Sequence, residues 1–134
     1  MRRRRTWSPR SAPLRRAWIA ATERPGTVHG AYYLASGAWP LAAYRSFELV
    51  TGPKREPWLV KMVGLLTVVI GFVVAMDPSG RVPQTRRLAY ATAAAYAAVD
   101  VWYAGVRRRI RPIYLLDALM EAALIGAWLS RRRR

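Results

Sequence analysis

Residues Leu59 to Met76 read LVKMVGLLTVVIGFVVAM, an unbroken apolar run of 18 residues with one charge, Lys61, near its start. At about 1.5 Å per residue, a helix of that length is about 27 Å long, close to the ~30 Å hydrocarbon core of a bilayer. A water-soluble domain in a chain of 134 residues needs no such run. It predicts a transmembrane helix, and the other long apolar stretches are read from it.

Hydrophobic residues make up 53% of the chain, yet its mean hydropathy is near zero. Both hold only if charge is concentrated outside the apolar runs, and it is. Lys and Arg number 23 against 7 acidic residues, a formal charge of +16. Such an imbalance calls for an anionic neighbour, either nucleic acid or lipid headgroups. The apolar runs favour anionic membrane lipids, so no nucleic-acid partner is expected. With no cysteine there is no disulfide, thiol nucleophile or thiolate metal site. A single histidine, His29, excludes a His-rich metal site, so neither metal nor cofactor is expected.

The expected fold is all-α, a four-transmembrane-helix bundle with basic cytoplasmic tails. Residues 1–26 form a basic N-terminal tail, broken by Pro9 and Pro13. Within it a short helix from Leu14 to Thr22 can lie on the membrane surface, or the whole tail can be solvated. An acid-poor, Arg-rich start also fits a transit peptide, but no compact apolar core follows the arginines as an export signal requires. Residues 27–130 form the membrane domain, with spans at 27–44, 59–76, 88–106 and 113–129. Pro40 is expected to kink the first span or end it early. Arg45 to Pro57 reads as a loop, marked by Gly52-Pro53 and Pro57. Asp77-Pro78-Ser79-Gly80 has turn chemistry. Residues 131–134 close the chain as a basic tail. Gly30 and Gly37 lie two turns apart in the first span, and Gly64, Thr67, Gly71 and Ala75 repeat at helical spacing in the second. Ala118, Ala122 and Gly126 make a third ladder. Such stripes admit close helix contacts and leave room for a homodimer.

An even number of spans puts both termini on one side, which then holds 15 basic residues against 8 on the other. The positive-inside tendency places the termini in the cytoplasm of a multi-pass protein of the inner or plasma membrane. Arg107, Arg108, Arg109 and Arg111 argue against that orientation.

Acidic groups inside a span are costly and point to function. Asp100 is seven residues before Arg107, and Asp117 six residues after Arg111. On antiparallel neighbours they lie at matching depth, about 10 Å below one boundary. Glu121 is one turn further in, on the face of Asp117. Three carboxylates in one low-dielectric pocket cannot all stay ionised cheaply. Either one holds an exchangeable proton, or they pair with Lys61, Arg45 or the loop arginines and fix the bundle. The structural outcome ranks first. His29 reads as an interfacial residue on the side away from the carboxylates, and the aromatics as anchors and packing residues.

The stretch from Arg45 to Lys61 is the most distinctive text in the chain. Arg45 and Glu48 can pair on a helix end. Thr51-Gly52-Pro53-Lys54 presents a hydroxyl and a cation that can cap a bundle or bind an anionic headgroup, though it lacks phosphate-loop glycine spacing. Arg45, Glu48, Thr51, Lys54 and Lys61 thus form a second polar cluster. With this loop at its centre, Gly30 to Leu66, together with Leu-Leu-Asp-Ala at 115–118, resembles a group of small uncharacterised bacterial integral membrane proteins with four predicted spans. The resemblance covers the spans and not the basic tails; it implies architecture only and assigns no functional residue.

The leading expectation is a structural, accessory or lipid-associated membrane bundle with a buried acidic cluster. The alternative is a small ligand- or proton-coupled transport or binding protein using Asp100, Asp117 and Glu121. Small multidrug transporters share the size and span number, but rely on a glutamate in the first span, which 27–44 lacks. An enzyme using Glu121 or Asp117 as general acid ranks lower, because no His pair, Ser-based motif or metal cluster accompanies them. A basic helical nucleic-acid binder is the soluble alternative.

Overall fold

The computed structural model describes residues 12–132, and these form helices with no strand among them. Expectations for Arg2 to Arg5 and for Arg133 and Arg134 fall outside the described residues. The helices are α1 (Ala12–Glu23), α2 (Pro25–Ala42), α3 (Tyr44–Thr51), α4 (Pro57–Ala75), α5 (Pro83–Asp100) and α6 (Ile113–Arg132). A π-helical turn, Val101–Val106, continues α5.

Proline punctuates this order. Pro25, Pro57 and Pro83 stand in the first turns of α2, α4 and α5, where a missing N–H costs nothing. Pro40 lies inside α2 and the helix ends two residues later, as expected of it. The chain then bends at Ala43, and Trp39 Nε1 donates to Ser46 Oγ across the corner at 2.8 Å.

Helices α2 and α4 pack antiparallel and very close. A Cβ on Gly37 would sit 2.6 Å from the Gly64 carbonyl oxygen, and one on Gly71 2.7 Å from Tyr33 Cβ. The small-residue stripes expected on these helices therefore fit against each other, inside one chain, rather than standing free for a second copy. α6 also packs antiparallel against α2, and α5 pairs with α6. α1 lies on α6, with Trp18 against Gly126, and Arg131 Nη1 donates to the Glu23 carbonyl at 2.6 Å. Between α4 and α5, the Asp77 carboxylate accepts the Arg81 and Val82 N–H groups, both at 2.9 Å. Gly80, at φ 66°, turns beneath the Trp128 ring.

Several boundaries differ from the sequence reading, among them the end of α6, which reaches Arg132 rather than residue 129. The stretch expected as a loop, 45–57, begins with α3, an amphipathic helix whose Thr51 hydroxyl bonds back to the Phe47 carbonyl at 2.9 Å. α5 starts at Pro83 rather than Leu88, because Pro83 supplies a ready first turn. Its far end is not α-helical: Arg107 N–H reaches the Trp102 carbonyl at 2.7 Å, five residues back.

Among the described residues α4 and α6 are long and apolar enough to cross a membrane. Only 22% of the α4 apolar window and 28% of that of α6 is buried within the chain.

Candidate functional site

The polar groups converge where α2, α5 and α6 meet. Tyr32 and Tyr33 are adjacent in α2, yet each reaches a different acid of α6. The Tyr32 hydroxyl donates to Asp117 Oδ1. The Tyr33 hydroxyl donates to Glu121 Oε2 at 3.1 Å. Asp117 and Glu121 are four residues apart, so one face of α6 carries both. Asp100, at the junction of α5 with the π-helical turn, is buried near Asp117, and its Oδ2 has no hydrogen-bond partner. The sequence-predicted acids are thus brought together, and Glu121 is only 1% exposed.

Their partners differ from those expected of an ion-paired lattice. Tyrosine hydroxyls, not Lys61 or Arg45, meet Asp117 and Glu121. Lys61 instead lies over the Tyr44 ring, 5.8 Å from its centroid. The reason is reach: Tyr32 and Tyr33 project from a helix packed directly on α6, whereas Lys61 is exposed on α4.

His29, expected at the membrane interface, is fully buried within the bundle, one turn before Tyr33 on the inward face of α2. Its ring meets Tyr33 edge-on at 4.3 Å, and Trp128 Nε1 donates to its Nδ1 at 3.2 Å. A polar seam therefore runs from Trp128 through His29 and Tyr33 to Glu121. Tyr96 extends it to α4, sharing a 2.6 Å hydrogen bond with Thr67 Oγ1 and meeting Tyr33 edge-on. The aromatics of this seam were missed as functional partners. The available signal was spacing: His29, Tyr33 and the small residues Gly30 and Gly37 share the packed side of α2.

The second cluster lies at the end of the molecule nearest Asp100. Arg45 and Glu48, expected to pair on a helix end, both line one cleft, but Glu48 Oε1 accepts the Lys54 N–H at 2.9 Å and the Tyr44 hydroxyl at 3.4 Å. Desolvation, then the Glu48 carboxylate, hold the Tyr44 hydroxyl above its ordinary value. Lys54 Nζ donates to the Thr51 carbonyl at 3.0 Å and sits over the Tyr114 ring. Thr51 is buried with its hydroxyl on the Phe47 carbonyl, so that hydroxyl is not presented outward.

Among the described residues no group of His and acids is arranged to hold a metal ion. Comparison of the chain with protein-family models, with curated proteins and with solved structures finds no match.

Proposed function

We propose that this is a multi-pass membrane protein in which α2, α4, α5 and α6 cross the bilayer, and that Asp100, Asp117 and Glu121 form a proton-binding site between them. The observation that carries the site is the identity of the partners. Acids that fix a bundle through buried ion pairs are matched by cations. Here the acids meet tyrosine hydroxyls and one another, and Asp100 keeps a buried oxygen without a donor. Two buried carboxyls beside a third that is half-buried are accommodated most cheaply when a proton is held among them. Hydroxyl partners permit exchange, because a tyrosine hydroxyl can bond to a carboxyl in either state.

The membrane reading is supported by the distribution of side chains. Phe72 of α4 and Leu119 of α6 are 58% and 65% exposed, while His29, Asp100 and Glu121 are buried. Apolar outside and polar inside suits hydrocarbon surroundings.

Infrared spectroscopy of the carboxyl C=O stretch, recorded during a pH titration in lipid nanodiscs, tests the proton site. Wild-type protein should show a titrating buried carboxyl band. Glu121→Gln and Asp100→Asn should each alter that band while assembly is preserved. A band that never changes over the range in which the protein stays folded rejects the site.

A structural reading also has an observation in its favour, since the Tyr32–Asp117 and Tyr33–Glu121 bonds tie α2 to α6. Loss of assembly in detergent for Glu121→Gln would favour it.

A further inference from the structure

An open cleft of about 400 Å³ lies between α3 and the segment leading into α6, lined by Arg45, Glu48, Leu49, Pro53 and Arg111. We propose that this cleft binds a phosphate group, carried by a lipid or free in solution, between the guanidinium groups of Arg45 and Arg111. The site is separate from the carboxyl cluster and stands whether or not that cluster exchanges protons.

Arg111 is held in place rather than free. Its Nη1 donates to the Leu49 carbonyl at 2.8 Å, and its stem crosses Gly52, where a Cβ would come 3.1 Å from Nε. Gly52 adopts φ 90°, a conformation that glycine supplies and that brings the loop backbone under the arginine. A guanidinium carries five N–H donors in a fixed fork, so donors remain after Nη1 is engaged. A positioned fork loses less side-chain freedom on binding a tetrahedral oxyanion.

The lining holds one acid, Glu48, which accepts the Lys54 N–H and the Tyr44 hydroxyl. Its single negative charge is outnumbered by the two guanidinium groups. The Lys54 ammonium, fixed on the Thr51 carbonyl, adds a third cation to the same loop. Leu49 on the rim is 77% exposed, and Leu116, one turn into α6, is 55% exposed, so apolar surface adjoins the charged pocket. That combination suits a phosphate ester carried by acyl chains, while the guanidinium pair alone suits any phosphate.

Binding should be measured on the full chain in neutral detergent, with inorganic phosphate and, separately, with a short-chain phosphatidic acid as probes. Arg45→Gln should weaken binding about tenfold, the loss of one charge-assisted contact. Arg111→Lys, which keeps the charge but not the fork, should weaken it less, and Arg81→Gln in the distant α4–α5 loop should leave it unchanged. Binding of both probes with this pattern identifies the phosphate as the recognised group; binding of the phosphatidic acid alone identifies a lipid site. Arg45 is exposed, so its variant should fold as the wild type does, which circular dichroism checks. The proposal is overturned if neither probe binds, or if Arg45→Gln and Arg81→Gln weaken binding equally.

Discussion

His29 shows how one side chain is fixed by its surroundings. Its Nδ1 accepts the Trp128 N–H, which places the proton of the neutral ring on Nε2, and that N–H is buried without an acceptor. Trp128→Phe removes the donor and leaves both ring nitrogens unsatisfied. The expected cost is about 1–3 kcal/mol, seen as a lower unfolding midpoint in detergent. Replacing both groups, His29→Leu with Trp128→Phe, should recover part of that loss, since an apolar pair leaves no orphan. If the double variant is as unstable as the sum of the single ones, the hydrogen bond is not what holds the pair together.

At the scale of the element, the α2–α4 contact depends on glycine. Gly37 and Gly64 face each other, and a Cβ on Gly64 would come 2.7 Å from the Gly37 carbonyl oxygen. That neighbour is backbone, which can yield only if a helix moves. Gly37→Ala and Gly64→Ala should each cost about 1–3 kcal/mol as overpacking. Gly105 is the internal control: a Cβ there meets only Leu115 Cδ2, at 3.5 Å, so Gly105→Ala should change little. Chemical denaturation in mixed micelles separates the two outcomes, and equal behaviour of Gly37→Ala and Gly105→Ala would show that the close approach is not a constraint.

For the whole molecule, the lack of cysteine makes accessibility simple to measure. Single variants Val69→Cys and Leu119→Cys sit on outward apolar faces, 53% and 65% exposed within the chain. In intact vesicles both should resist a water-soluble maleimide, and both should react once the protein is unfolded in detergent. Arg55→Cys, in the exposed loop before α4, should react from one side of the vesicle. The protein should also stay in the pellet when membranes are washed with alkaline carbonate. Free labelling at position 69 in intact vesicles would overturn the membrane reading and return the chain to a soluble or peripheral class.

The sequence by itself determined the helical class, the long apolar runs of α4 and α6, and the small-residue stripes of α2 and α4. Each of these is a local property: a run has a length, and a stripe has a period, whatever lies beside it. It also placed Asp100, Asp117 and Glu121 together, because depth along antiparallel helices follows from counting residues. It did not name the tyrosines that meet them. Tyr32 and Tyr33 reach the acids, and His29 is enclosed, only because α2 is turned about its axis to seat its glycines on α4, which directs its tyrosines toward α6. That rotation is set by contacts with two other helices at once, and no single stretch of sequence carries it. The fate of Glu48 has the same cause. Spacing alone paired it with Arg45, whereas the fold of the loop after α3 brings the Lys54 N–H to it first.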